Sequence, residues 1–109
     1  MAKIDVFKPT RMLSASNASD LTSWIRQKLD AGSKHLVIDM RNVMFMDSSG
    51  LGSLVAARRM AYERGAVLVL TSLYGQAHML LELAGVERLF PLFSTVDDYR
   101  SSLPEEASL

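Results

Sequence analysis

The sequence predicts an α/β fold with a mixed, mainly parallel sheet of four to five strands flanked by helices. Two apolar runs, residues 36–38 and 67–70, do not alternate with polar residues and contain β-branched side chains. Strands that are buried on both faces have this composition, and parallel sheets covered by helices contain such strands. A segment with helical periodicity follows each run, so repeated strand–helix units with right-handed crossovers are expected.

The two ends of the sheet are predicted from proline positions. Residues 4–7 have the composition of a strand, but Pro9 removes a backbone donor soon after them. Residues 89–93 are similar, and Pro91 interrupts them. Because proline is tolerated mainly in edge strands, both segments are expected at sheet edges.

Four segments have the spacing of helices that bury one apolar face. They cover residues 18–31, 48–63, 76–84 and 95–103. Asn17 or Ser16 is expected to cap the first, and Ser94 or Thr95 the last, because small polar side chains accept hydrogen bonds from free helix N–H groups. Glycines follow the first three helices, as is common at helix ends.

Length and composition indicate one domain over residues 1–109, with a core at about 4–103 and a polar tail at 104–109 that frays. The chain has 109 residues, of which 49% are hydrophobic and 22% charged, an ordinary globular mixture. A chain of this size buries roughly two-thirds of its unfolded surface. A metal or disulfide is therefore not needed to explain folding.

Charge and residue counts argue against several classes of function. Twelve basic and twelve acidic residues balance to zero, whereas nucleic-acid binding needs a net basic face. Cysteine is absent, which excludes disulfides and thiolate chemistry. The first five residues do not have the pattern of a signal peptide, and about 18 consecutive apolar residues occur nowhere. A cytoplasmic protein without a membrane span is therefore expected.

Residues 46–52, Met-Asp-Ser-Ser-Gly-Leu-Gly, carry the candidate chemistry. They follow a buried strand through a short connection and open a helix, where free N–H groups and the helix dipole favour negative charge. A phosphate on Ser48 can be accommodated there. The same residues also suit simple helix capping, in which a side-chain oxygen accepts a backbone hydrogen bond. Local chemistry favours capping and leaves both interpretations open.

The stretch over residues 36–52, LVIDMRNVMFMDSSGLG, resembles the core signature of STAS-domain anti-sigma factor antagonists. The later segments GAVLVLTSL and LLELAGVERLFPLF resemble the second half of the same family. The resemblance covers residues 6–103 in layout and is strongest over 36–93. Its central motif is far more specific than a lone glycine-rich loop.

This resemblance implies a bacterial regulator that switches between protein partners and is not an enzyme. Members of the family bind an anti-sigma factor that is also a serine kinase, and this binding frees the sigma factor. The kinase phosphorylates the first serine of the motif, which is Ser48 here, and a PP2C-type phosphatase resets the protein. Asp47, Ser49 and Gly50 complete the phosphorylation loop. No catalytic residue, cofactor or metal site is expected in the chain itself.

The helix after this loop is expected to form much of the partner surface. Its inner face is committed to the sheet, so the residues predicted to be available to a partner are Ser53, Ala56, Arg59 and Met60.

One segment departs from the family pattern. Family members usually carry a Gly-x-Leu-Asp turn after the first strands, and residues 11–14 are Arg-Met-Leu-Ser here. Arg11 replaces the glycine and Ser14 replaces the acidic residue. This turn normally lies close to the phosphorylation site, so the change bears on partner identity and kinase affinity. The sequence leaves open whether one strand or two precede the first helix.

Sites for other chemistry are less well supported. His35 and His78 are the two histidines, and without cysteine or paired spacing they are expected to be structural and not metal ligands. Ser48 with a histidine and Asp39 lacks the nucleophile elbow of a hydrolase. A receiver domain is phosphorylated on an aspartate, which would be Asp39 or Asp47 here. It would need an acidic pair after the first strand and a lysine on a late strand, and the sequence has neither.

A STAS module that assembles with partners without being phosphorylated is a further alternative, because fold does not specify function. Met44, Phe45 and Met46 precede the motif, and Met79 and Leu83 lie off the core stripe of the third helix. An exposed methionine-rich patch would suit partner binding.

Overall fold

The computed structural model describes residues 3–104, which form six strands and four α-helices. The strands are β1 (Asp5–Phe7), β2 (Arg11–Leu13), β3 (His35–Asp39), β4 (Val43–Met46), β5 (Val67–Thr71) and β6 (Leu92–Phe93). The helices are α1 (Ala18–Asp30), α2 (Ser48–Glu63), α3 (Gly75–Leu83) and α4 (Val96–Ser102), with a 3₁₀ helix over Glu87–Leu89. The tail predicted to fray lies, from residue 105 onward, outside the described residues.

Four strands form one parallel sheet in the order β1-β3-β5-β6, and β2 and β4 form a separate parallel pair. The predicted α/β fold with a mainly parallel sheet is confirmed. β1 and β6 are the edge strands, as Pro9 and Pro91 predicted. The segment over 89–93 is shorter as a strand than expected, because Leu89 belongs to the 3₁₀ helix.

Helices cover both faces of the larger sheet, which explains why its central strands are apolar throughout. Leu36, Ile38, Leu68 and Leu70 belong to the main core together with residues of α1, α2 and α3. Val37 and Val69 point to the opposite face and pack with Tyr99 of α4. Successive strand residues face opposite sides, so full burial removes any polar alternation.

Tyr99 anchors α4 to the sheet. Its hydroxyl lies 2.7 Å from Nδ1 of His35, and its ring packs edge-on against Phe93. Burial raises the pKa of the Tyr99 hydroxyl above its usual value of 10.0, because a phenolate is poorly solvated away from water.

Among the helices formed within residues 3–104, none is long and apolar enough to cross a membrane.

The helix bounds agree with the sequence prediction to within a residue, and α2 begins directly after Asp47 and ends at Glu63 as predicted. Thr95 caps α4, since its Oγ1 accepts a hydrogen bond from the Asp98 N–H. The prediction that a side chain caps α1 is wrong. Asn17 occupies the cap position, but its side chain accepts from the Ser14 N–H and donates to the Met12 carbonyl. The side-chain amide of Asn17 therefore stabilises the turn before α1 and does not bond to the free N–H groups of the helix.

The β2–β4 pair is the part of the fold that the sequence pattern did not resolve. Two strands precede α1, and β4 occupies residues expected to form a plain connection. Its residues are buried at Val43 and Met46 and exposed at Met44 and Phe45. This order lacks the alternation of a half-buried strand. Pairing with β2, which is distant in sequence, makes β4 a strand.

Candidate functional site

Asp47 and the first residues of α2 form the candidate site. Asp47 has an extended backbone, and its Oδ1 accepts a hydrogen bond from the Gly50 N–H at 2.9 Å. The capping interpretation is therefore confirmed for Asp47. Ser48 and Ser49 occupy the first two helical positions and are exposed. Capping by Asp47 leaves both hydroxyl groups directed to the surface, so it does not compete with modification of a serine.

Gly50 allows β2 to pack directly on the first turn of α2. A Cβ atom at this buried position would lie 1.9 Å from the Leu13 carbonyl oxygen and 2.9 Å from Cγ of Met46. The Asp47 N–H also donates to the Leu13 carbonyl at 3.3 Å. These contacts place the end of β2, which belongs to the segment 11–14 that resembles the family turn, beside the start of α2, as the sequence resemblance implied.

The departure at residue 11 keeps the backbone conformation that glycine favours. Arg11 has φ = 71°, which lies in the left-handed region that side chains other than glycine rarely adopt. Its N–H donates to the Asn42 carbonyl at 2.8 Å. At the acidic position of the family turn, Ser14 is buried and its Oγ lies 2.9 Å from Oγ of Ser16. Residues 11–14 therefore combine a left-handed backbone at Arg11, the first residue of β2, with a buried serine in place of a carboxylate at residue 14.

Gln76, a residue that no sequence motif identifies, anchors β4, the strand that leads to Asp47. Its Oε1 accepts from the Met46 N–H at 2.8 Å, and its Nε2 donates to the Met46 carbonyl at 2.9 Å. The two bonds substitute for a neighbouring strand at the residue directly before Asp47. No sequence motif marks this role, because it depends on α3 packing beside β4.

Ser53 does not belong to the exposed face of α2, so the expectation that it is available to a partner is wrong. Its side chain is buried, with 6% of the residue exposed, and its Oγ donates to the Gly50 carbonyl at 2.6 Å. This bond to a carbonyl one turn earlier satisfies the hydroxyl inside the protein. Ser53 shares the inward face with Leu54 and Ala57.

The other three residues predicted for the partner surface lie further out. Arg59 is exposed, and Ala56 is half-buried. Met60 packs partly against the core, and its Sδ lies 4.0 Å from a guanidinium nitrogen of Arg26 on α1. The surface of α2 that continues from Ser49 therefore runs along Ala56 and Arg59, with Met60 at its margin.

Two sets of apolar side chains are exposed near β4. Met44 is 72% exposed and Phe45 is also exposed, whereas Met46 is buried. On α3, Met79 and Leu83 are exposed and lie three and seven residues after Gln76, on the helix face that meets β4. The methionine-rich segment before the motif is therefore divided between the core and the surface.

The aspartate and histidine side chains considered for a hydrolase triad or a receiver domain form contacts with other residues. Asp39 is 2% exposed; its Oδ1 accepts from the Arg41 N–H, and its Oδ2 lies 4.0 Å from Nζ of Lys8. His35 contacts Tyr99 as described, and Nε2 of His78 lies 2.5 Å from a carboxylate oxygen of Glu87. Both imidazole rings thus have partners other than Ser48, and the arrangement of a hydrolase triad is not formed.

Three possible metal ligands do come together at another place. One donor atom each from His78, Glu82 and Glu87 lie within 4.8 Å of one another. The absence of cysteine and of paired ligand spacing predicts no metal site in this chain. His78 and Glu82 are four residues apart on α3, which was the available signal, but Glu87 reaches them only through the turn at Gly85.

Comparisons with known proteins agree on one family. The STAS domain family matches residues 3–99. The anti-sigma F factor antagonist of Paenibacillus polymyxa is 28% identical over 60 residues, which are 55% of this chain and about half, 51%, of that relative. A Thermotoga maritima protein proposed to be an anti-sigma factor antagonist has a similar structure, with a TM-score of 0.82 at 20% identity, covering 90% of this chain and 85% of that one.

The Bacillus cell fate determinant SpoIIAA in its phosphorylated form is also similar in structure. The TM-score is 0.73 at 15% identity, and the alignment covers 93% of this chain and 91% of that one. At this level of identity, both structural comparisons show a shared fold. Since the family match extends over nearly all of the described chain and includes the Asp47–Gly50 loop, this protein belongs to the STAS domain family.

Proposed function

We propose that this STAS protein is an anti-sigma factor antagonist that binds a cognate anti-sigma factor serine kinase and is switched off by phosphorylation of Ser48. The observation that carries the proposal is the exposed Ser48 at the first position of α2, beside a cap that Asp47 supplies. The name of the Paenibacillus polymyxa relative and the phosphorylated form of SpoIIAA support the same function.

The amino terminus of α2 suits a serine that alternates between a free and a phosphorylated state. Free N–H groups and the dipole of this 16-residue helix favour negative charge there. The adjacent Asp47 carboxylate repels a negatively charged phosphate group on Ser48. The two effects partly cancel, so the start of α2 does not bind the phosphate group strongly. A PP2C-type phosphatase would then reset the protein. The chain itself acts as substrate and binding partner in the cytoplasm, where the kinase has ATP, and has no enzymatic activity of its own.

Phosphorylation by the cognate kinase should occur on Ser48. After incubation with the kinase and ATP, peptide mass mapping is expected to place one acid-stable phosphate on Ser48. Ser48→Ala should abolish the modification. Ser49→Ala should retain it, because Ser49 is also exposed but is the second serine of the motif, and this variant keeps the first. Modification of Ser49 alone, or an acid-labile phosphate on an aspartate, would contradict the assignment.

The partner surface is proposed to extend from the Ser48 loop along the outer side of α2. Ser49, Ala56 and Arg59 follow one another at helical spacing on this side, and none of them is fully buried. Small residues near the loop would let a partner approach the backbone closely. The burial of Ser53 removes that residue from the proposed surface.

Ala56→Glu is expected to weaken kinase binding at least tenfold and to leave the fold largely intact, because a charged, bulky side chain would project from the centre of this surface. Binding is measured by calorimetry and folding by circular dichroism. Ser101→Glu is the matched control, since it adds the same charge to an exposed position of α4, on the opposite face of the sheet. Equal affinity of both variants would show that α2 is not the contact surface.

An assembly module that is not phosphorylated is the second candidate. The observation that favours it is the exposed apolar side chains of Met44, Phe45, Met79 and Leu83 beside β4, because exposed apolar patches often mark protein interaction sites. Lack of phosphate on Ser48 after kinase treatment, together with a partner complex that Met79→Glu disrupts, would favour this alternative over the switch.

A further inference from the structure

We propose that His78, Glu82 and Glu87 form a binding site for a divalent transition-metal cation of the zinc type. The site lies on α3 and the 3₁₀ helix that follows it, on different elements from the Ser48 loop. It does not depend on the proposed function, because its ligands are side chains that take no part in the phosphorylation loop.

The backbone brings the three ligands together. His78 and Glu82 are one helical turn apart and share a face of α3. After α3 the chain reverses at Gly85, whose φ is 73°. The Gly85 N–H bonds to the Glu82 carbonyl, and the Val86 N–H bonds to the Leu81 carbonyl. These bonds close the helix end and direct the next residue, Glu87, back towards His78.

The distances suit a metal with short bonds to nitrogen and oxygen. The three donor atoms lie within 4.8 Å of one another, and His78 Nε2 lies 2.5 Å from Glu87 Oε2. Ligand atoms around tetrahedral zinc lie about 3.3 Å apart, given bonds of about 2.0–2.1 Å. Small side-chain rotations that move His78 Nε2 and Glu87 Oε2 about 1 Å further apart would therefore let both atoms bind one cation in place of their hydrogen bond.

Charge and exposure also fit a cation. Two carboxylates converge on one imidazole, and a divalent cation would neutralise both charges. His78 and Glu87 side chains are 37% and 35% exposed, and Glu82 is exposed, so an ion can enter from solvent. Three protein ligands leave a fourth position for water or for a ligand from another molecule.

The imidazole nitrogen selects the class of metal. Imidazole nitrogen suits zinc, copper and nickel, whereas magnesium and calcium prefer six or more oxygen ligands. Zn²⁺ is therefore expected to bind more tightly than Mg²⁺ or Ca²⁺.

Calorimetry of the untagged chain with Zn²⁺ tests the site. We expect one equivalent to bind, with a rise in the melting temperature on the order of 5 °C at saturation. His78→Gln and Glu82→Gln should each weaken binding about tenfold or more. Glu63→Gln, which removes an exposed carboxylate from the end of α2, should leave binding unchanged.

Proton NMR identifies the ligand independently. The chain has two histidines, and Zn²⁺ should shift the ring signals of His78 but not those of His35, which contacts Tyr99. If His78→Gln disturbs folding, Glu82→Gln still decides, because this change is at an exposed position. Unchanged affinity in Glu82→Gln, shifts confined to His35, equal binding of Mg²⁺, or no binding of Zn²⁺ would each overturn the proposal.

Discussion

Gly50→Ala is expected to lower the free energy of unfolding by roughly 2–4 kcal/mol, because inserting an atom into a packed interior forces the neighbours to move. The added Cβ would lie 1.9 Å from the Leu13 carbonyl oxygen and 2.6 Å from the Leu13 carbonyl carbon. Both are backbone atoms of β2, which cannot rotate away as a side chain can. The end of β2 must therefore separate from α2. Urea denaturation of parent and variant measures the loss.

Gly52→Ala is the matched control for this prediction. Gly52 lies in the same helix, two residues later, and a Cβ there would have no atom within 4 Å beyond the adjoining residues and backbone of that helix. Alanine is favoured over glycine inside helices by about 1 kcal/mol, so this variant should be as stable as the parent or more stable. If Gly50→Ala were equally well tolerated, the close packing of β2 on α2 would be refuted.

Ser48→Asp is expected to reduce affinity for the proposed kinase partner about a hundredfold and to leave the fold intact. A carboxylate at the first position of α2 is exposed in the free protein, and the helix dipole favours it by about 0.3–1 kcal/mol. In the complex the same charge would be desolvated against a surface that fits a neutral serine. About 3 kcal/mol of uncompensated desolvation corresponds to roughly a hundredfold loss of affinity.

The measurements for this variant are calorimetric affinity, the melting temperature and the far-ultraviolet circular dichroism spectrum. A melting temperature within a few degrees of the parent is expected, because solvent screens the repulsion between residue 48 and Asp47. Ser23→Asp, at an exposed position of α1, adds the same charge elsewhere and should keep full affinity. An unfolded Ser48→Asp protein, or one that binds like the parent, would refute desolvation at Ser48 as the basis of the switch.

The residue at position 11 shows how sequence and structure bear differently on the site. Comparison of residue types identifies Arg11 as a departure from a glycine. The backbone shows that Arg11 adopts the left-handed conformation that glycine favours, with φ = 71°. The chemistry also differs from the family turn that the sequence resembles, with an exposed guanidinium at residue 11 and a buried serine in place of a carboxylate at residue 14.

The sequence by itself determined the four helices, the strands of the larger, parallel sheet and the start of α2 directly after Asp47, but not the β2–β4 pair. These features depend on local patterns, such as the fully apolar runs that became β3 and β5 and the Asp47 cap that begins α2. Each pattern acts within a few residues of the chain, where hydrophobic periodicity and hydrogen-bonding side chains favour one conformation.

Only the tertiary structure decided which residues meet at the site. Gln76 reaches Met46 across 30 residues of sequence, and Gly50 is needed because β2 packs against it. Ser53 is buried because the face of α2 that it shares with Leu54 and Ala57 packs inward. Glu87 joins His78 because the chain reverses after α3. Such contacts depend on how separate elements of the chain pack against one another, and local propensity does not encode the distance between them.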